Sequence, residues 1–325
     1  MRGAVCFSGG KDSCAMLIEL LRRIYEEGST KYFVDDIFFA DTKKEFPDLY
    51  EYIAMIEKYI QERFDPNLKI QFTQAKRREW MSDKDTWDEW FYGNITRGAN
   101  EGKPRGAPLR AYPCWWAREA KVYPLQDATK DHDVVYMGIA ADEAHRQTTQ
   151  TDARSLKLKY PLIEWGWTEP DCFKYLDDLE LMNDLYVNFT RLGCFHCIKQ
   201  PPDSWWSLWR GYPELWAEAK RWDEESLRVS GLGLRSMEPG KDGWLLSEME
   251  QRFKDGWIPN GRTKFDCNSC DAVRFVAQGQ MTLADFEGSD DNAHERLGLI
   301  DAETPACDIP WEKDASCDIT QQVVE

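Results

Sequence analysis

The first two dozen residues set the short apolar run Ala4-Val5-Cys6-Phe7 directly against Ser8-Gly9-Gly10-Lys11-Asp12-Ser13. Ala15, Met16, Leu17, Leu20, Leu21 and Ile24 then follow at helical spacing. The pattern predicts a buried strand, a tight glycine turn and a helix. Such a turn gathers unpaired backbone N–H groups at a helix N-terminus, where the helix dipole also favours an anion, phosphate above all. Gly9 and Gly10 allow close backbone approach and positive φ. Ser8 and Ser13 add hydroxyl donors and Lys11 a cation, while Asp12 makes chemical sense beside phosphate as a partner for Mg²⁺. The G-x-x-x-x-G-K-[ST] phosphate loop is absent.

Further strands are expected over Val34–Ala40, Leu68–Phe72 and Val134–Ile139, with a helix from about Asp48 to Phe64 that Pro47 helps to start. A β-α-β-α-β order predicts an α/β fold, an open and mainly parallel sheet with its ligands at the carboxyl ends of the strands. Asp41 and Thr42 end the second strand and would lie beside the phosphate loop.

These segments carry a resemblance. Ser8–Ser13 resembles the S-G-G-x-D-S loop of the PP-loop ATP pyrophosphatase superfamily. The run D-T-x-x-E-F-P-x-x-Y-E-Y from Asp41 resembles the phosphoadenosine phosphosulfate (PAPS) reductase-like branch, with Lys43 where a Gly usually stands. Lys121-Val122-Tyr123-Pro124-Leu125, Gly138-Ile139 with Arg146, Pro161-Leu162 with Trp165, Leu185-Tyr186 and Arg191-Leu192-Gly193-Cys194 extend the likeness to about Trp222. The resemblance implies an adenine nucleotide alpha hydrolase-like sheet with its PP-loop after strand 1. It implies ATP and Mg²⁺ as ligands of Ser8, Gly9, Gly10, Lys11, Asp12, Ser13, Asp41, Thr42, Gly138 and Arg146, with Lys11, Asp12, Ser13 and Arg146 acting in catalysis. The activity implied is AMP-forming activation of a substrate oxygen, followed by sulfur transfer to a nucleic acid (tRNA or DNA) or a nucleotide. Cys194 and Cys197 are the catalytic thiols, and a sulfur donor protein and a partner subunit that contacts the nucleic acid belong to the same picture. Two rival readings stand beside it: a sulfonucleotide reductase, and a non-catalytic nucleotide-binding subunit with structural zinc. The E-C-G-x-H segment of assimilatory reductases is absent from this sequence.

Cys194-Phe195-His196-Cys197 and Cys267-Asn268-Ser269-Cys270 are two C-x-x-C knuckles, and Cys114 offers a further arm. Their thiolates suit either tetrahedral Zn²⁺ or an iron–sulfur cluster, and both remain open. In PP-loop enzymes with a [4Fe–4S] cluster three cysteines hold it, a pattern that Cys114, Cys194 and Cys197 match. Cys6, Cys14 and Cys172 sit in apolar or helical settings and are expected in the core.

The 325 residues divide into an expected nucleotide-binding domain (1–200), a helical region rich in Trp and bearing the second knuckle (201–288) and an acidic tail (289–325). The net charge is −17, and 13 acidic against 3 basic residues beyond position 270 supply −10 of it. Such a chain is a poor autonomous polyanion binder. The exception is the stretch Thr96–Pro113, where Arg97, Lys103, Arg105 and Arg110 predict a mobile basic loop. Trp205, Trp209 and Trp216 fall at helical spacings and read as core. Ten cysteines without a secretory leader or a membrane-length apolar run predict a cytoplasmic protein with reduced thiols and no membrane contact.

Overall fold

The computed structural model describes residues 1–76, 86–96, 100–108, 114–146, 157–235 and 245–259. Cys267, Cys270, Arg97, Arg110 and the acidic tail lie outside the described residues. β1 (Gly3–Phe7), β2 (Asp36–Asp41), β3 (Ile70–Gln74), β4 (Val134–Met137) and β5 (Leu158–Lys159) form one parallel sheet in the order β3-β2-β1-β4-β5. β1 is central, so both of its faces are covered. Ala4, Val5 and Phe7 are buried accordingly, giving the unbroken apolar run that a doubly covered parallel strand requires.

The crossovers are helical. α1 (Lys11–Tyr25) buries Ala15, Met16, Leu17, Ile18, Leu20 and Leu21, and α2 (Pro47–Arg63) buries Leu49, Ile53, Ile56 and Ile60. Both repeats follow the helical period, which is why these boundaries were predictable. β2 and β3 begin two residues later than their apolar runs suggest, because Asp36 is the first residue of β2 to enter the ladder and Ile70 the first of β3.

After β3 come α3 (Thr86–Tyr92), α4 (Trp115–Ala117) and α5 (Tyr123–Ala128), the last two joined by a π-helical turn at Arg118–Val122. A 3₁₀ segment, Ala141–Arg146, follows β4. Then come α6 (Pro161–Trp165), α7 (Glu169–Asp178) and α8 (Leu185–Asn188).

The remaining helices are α9 (Pro202–Gly211), α10 (Pro213–Ser230) and α11 (Leu246–Lys254). Trp205 and Trp216 are buried in the same apolar cluster as the sheet residues, as their spacing predicts, while Trp209 is only partly buried against it; Trp222 of α10 joins the cluster too. Asp223 of α10 accepts hydrogen bonds from the backbone N–H of Leu234 and Leu246, each at 2.7 Å, and so fixes the approach to α11. No described helix is long and apolar enough to cross a membrane.

The expected mobile basic loop is in part anchored. Its described residues 100–108 carry a bridge between Asn94 and Pro104. The Ala107 N–H donates to Ser226 Oγ at 3.1 Å. The Arg105 guanidinium lies 4.5 Å from the Trp90 ring centroid and donates to the Asn94 carbonyl at 2.7 Å. Stacking and burial thus occupy a cation that the sequence offers to a phosphate backbone.

Gly138, just beyond β4, has a packing role. A Cβ there would stand 2.6 Å from Ser13 Cα and 2.8 Å from Ser13 N. Those are backbone atoms of the first turn of α1 and cannot give way as a side-chain tip can. Gly138→Ala is therefore expected to destabilise the protein by about 1–3 kcal/mol, read as a lowered urea midpoint, and to weaken whatever the first turn of α1 binds.

Candidate nucleotide and thiol site

The turn from β1 into α1 has the conformation its sequence calls for. Gly9 adopts φ +72°, and a Cβ at that position would come within 2.5 Å of Leu49 Cδ1. Ser13 Oγ donates to the Gly10 carbonyl at 3.0 Å, accepts from the Ser8 N–H at 3.1 Å and lies 2.9 Å from Ser8 Oγ. The two serines hold the loop's shape as well as offering hydroxyls. Gly10 is the N-cap and supplies no side-chain acceptor, so the first amides of α1 are left for other partners.

Lys11 and Asp12 sit in a cluster that sequence reading reached only in part. Lys11 Nζ is 3.1 Å from Glu169 Oε2, at the start of α7, and 3.5 Å from Asp12 Oδ1. Ligand oxygens of Asp12, Glu143 and Glu169 lie within 4.8 Å of one another. Asp12 Oδ1 is buried without a hydrogen bond. Burial pushes the Asp12 carboxyl up to about 6, with Lys11 opposing and the Glu169 and Glu143 carboxylates adding to the rise. Three acids with an unsatisfied oxygen suit a hard divalent cation, so the residues fit Mg²⁺. Glu169 and Glu143 escaped sequence reading because they come from separate segments, 26 residues apart, that meet only in the fold.

Asp41 is engaged on both oxygens. It accepts from the Lys43 N–H at 2.8 Å, Tyr50 Oη at 2.7 Å and Gln74 Nε2 at 3.1 Å, with Lys43 Nζ at 3.1 Å. Its visible role is to cap the turn that follows β2. Lys43, in the place where a Gly is usual, adopts the left-handed φ of +60°. That conformation costs a non-glycine residue roughly 1–2 kcal/mol, and the two contacts to Asp41 offset it.

Thr42 is fully buried and connects the strand ends to the thiols. Its Oγ1 donates to Glu45 Oε1 at 2.9 Å and lies 3.4 Å from Cys194 Sγ. Lys121 Nζ meets the same Glu45 oxygen at 3.0 Å. Cys194 opens onto a cavity of about 450 Å³ whose lining includes Cys114, Cys197, Lys121, Arg146, Arg191 and Lys199. Three cysteines from two distant segments thus share one space, as the resemblance implies.

Burial, with the Glu45 carboxylate adding, pushes the Cys194 thiol well up, and Lys121 opposes this. Burial thus favours the protonated thiol at Cys194, and Lys121 favours the thiolate. Cys114 is also raised by burial, although its sulfur accepts the Ala117 N–H at 3.4 Å at the start of α4. His196, between the two knuckle cysteines, is buried against Trp87 and Phe195, and burial lowers it to about 3, so its imidazole is neutral.

Zinc held by thiolates at about 2.3 Å sets their sulfurs roughly 4 Å apart. The three thiols are not gathered within 4.8 Å of one another among the described residues. As they stand they are not drawn together as a closed thiolate tripod. The other knuckle lies outside the described residues. Cys14 and Cys172 are fully buried core residues, and Cys6 is half-buried in β1.

Arg146 stands at the cavity rim and pairs with Glu143, one member of the acidic cluster. The phosphate-loop side and the thiol side therefore adjoin at the carboxyl edge of one parallel sheet. That arrangement defines a nucleotide-binding α/β protein of the PP-loop type. Residues 2–200 match the profile of the phosphoadenosine phosphosulfate reductase domain, and the chain belongs to that family.

Two uncharacterized proteins of Methanocaldococcus jannaschii are similar to it. One is 23% identical over 258 residues, 77% of this chain and 53% of the relative, and the other 23% over 252 residues, 74% and 44%. The chain spans about half the length of the curated relatives it matches. The crystal structure of a PAPS reductase from Candida auris aligns over 60% of this chain and 82% of its own, with 18% identity and a TM-score of 0.39. That likeness is too loose to carry an argument about function.

The raised Asp12 carboxyl has a consequence for stability. Its value is about 6 in the folded protein against 3.8 ordinarily. Between those values the native state holds a proton that the unfolded chain has lost, so stability falls as pH rises from about 4 to 6. Urea denaturation across that range, without divalent cations, is expected to show this decline. Asp12→Asn should remove a component of about 2–3 kcal/mol.

Proposed function

We propose that the protein binds MgATP, cleaves its α–β bond and uses the activated intermediate to place sulfur on an acceptor. The observation that carries the proposal is the junction of the two sites, where Thr42, at the end of β2, touches Cys194 in the three-thiol cavity. In this reading Ser8–Ser13 hold the leaving pyrophosphate, and Arg146 faces the developing charge. Lys11 stabilises that charge electrostatically without itself reacting.

An acceptor oxygen attacks the α-phosphorus, and the α–β P–O electron pair leaves on pyrophosphate. The terminal sulfur of a persulfide on Cys194 or Cys197, loaded by a sulfur donor protein, displaces AMP and gives an acceptor–S–S–Cys disulfide. The other thiol of the pair attacks the cysteine sulfur of that disulfide, releasing the acceptor thiolate and leaving a Cys194–Cys197 disulfide. A cellular dithiol reduces it. A [4Fe–4S] cluster held by Cys114, Cys194 and Cys197 would instead supply a binding place for inorganic sulfide.

The acceptor we favour is a nucleic acid or nucleotide. Arg191 and Lys199 are exposed cavity-lining residues, and neither has a carboxylate partner among the described residues. Contacts from a partner subunit would offset the acidity of this chain.

Sulfonucleotide reduction is the second reading, favoured by the family to which the chain belongs. One assay separates the two. Anaerobic protein is given ATP, total tRNA or DNA and a persulfide donor, with inorganic sulfide in a parallel sample to test the cluster route, and separately PAPS with a dithiol. Acceptor-dependent release of pyrophosphate and AMP, reduced at least 100-fold in Lys11→Ala, is the expected result. Sulfite from PAPS without pyrophosphate from ATP would establish the reductase and overturn the transfer.

A further inference from the structure

The phosphate loop has a second wall, contributed by the chain's passage from Asn183 into α8. The Lys11 N–H, the first amide of α1, does not face open space but donates to Tyr186 Oη at 2.9 Å across 175 residues of sequence. Tyr186 is 7% exposed, and its hydroxyl oxygen would lie 3.2 Å from a Cβ on Gly10. It therefore overhangs the loop itself. The preceding turn is fixed, since Asn183 Oδ1 accepts the Leu185 N–H at 2.9 Å while Asn183 Nδ2 reaches the Gly9 carbonyl at 3.5 Å.

The hydroxyl accepts one hydrogen bond, but its own proton has no acceptor among the described residues. A buried donor left unused costs free energy comparable to a lost hydrogen bond. Burial, with the Asp12 and Glu169 carboxylates adding, raises the phenol, so the proton stays on the oxygen. Lys11 Nζ is 5.6 Å from the Tyr186 ring centroid. A donor held by a helix N-terminal amide, beside an ammonium and over a glycine turn, lacks only an anionic acceptor.

We infer that Tyr186 is a binding residue for the phosphate on the Ser8–Ser13 loop, donating its hydroxyl proton to a phosphate oxygen while the Lys11 amide holds it in place. The inference rests on the reading that this loop binds pyrophosphate. It relays the pull of the α1 N-terminus through a side chain to a ligand that the Lys11 amide does not touch.

The test is calorimetric titration of the full chain with inorganic pyrophosphate. The wild-type protein is expected to bind, and Tyr186→Phe, which keeps the ring and its packing, to bind about 10-fold more weakly or worse. Equal or tighter binding by Tyr186→Phe would show that the hydroxyl is a spectator or a competitor for the Lys11 amide, and would overturn the inference alone. Absence of pyrophosphate binding by the wild-type protein would overturn the loop reading and this inference with it. Should the phenylalanine variant fold poorly, 3-fluorotyrosine placed at position 186 alone gives a second readout. Its ¹⁹F resonance is expected to shift on adding pyrophosphate, and a saturable pyrophosphate complex with an unmoved resonance would exclude the contact.

Discussion

The approach of the Gly138 backbone to the first turn of α1 is the constraint on which the rest of the site depends. It sets the end of β4 against the helix start, so that Ala141–Arg146 emerges beside Asp12. Glu143 then meets Asp12 and Glu169, and Arg146 reaches the thiol cavity. A side chain at position 138 would push these groups apart before any chemistry began. The parallel sheet supplies the edge, but this glycine sets how tightly the two halves of the site close on it.

The electrostatics run as a connected series. Lys11 meets Asp12 and Glu169, Glu143 joins that acidic group and pairs with Arg146, and Arg146 lines the cavity of the three cysteines. From the other side Lys121 and Glu45 meet Thr42, which touches Cys194. The two series meet only at the cavity, which Arg146 and Cys194 both line.

Much of this was legible in the sequence because it is local. The strand–glycine turn–helix at Ala4–Ile24 follows from periodicity and backbone freedom, and α2 follows from its apolar repeat. The resemblance brought Cys114 together with Cys194 and Cys197, which no spacing rule could have done across 80 residues. What sequence reading missed is what the topology assembles. Glu169 opens α7 and looks like an ordinary helix-start acid, yet it lies against Lys11. Tyr186 looked like one residue of a motif and proves to sit on the α1 N-terminus. Arg105 read as a free cation, and only the fold reveals Trp90 beneath it. Cys194 read as a thiol near the site, and only the fold reveals Thr42, Glu45 and Lys121 gathered around it.

Lys43 gives the turn after β2 a property that a glycine would not. Glycine reaches φ +60° unaided, and the turn would keep its shape whatever stood nearby. With lysine the same shape gains a contact to Asp41 that a glycine could not make, from the ammonium at 3.1 Å. The backbone leading into Glu45 thus depends on the charge of one carboxylate. A cation or a polar ligand group that draws on Asp41 would release part of that hold, and the turn beside Thr42 would feel the ligand as a change in its own strain.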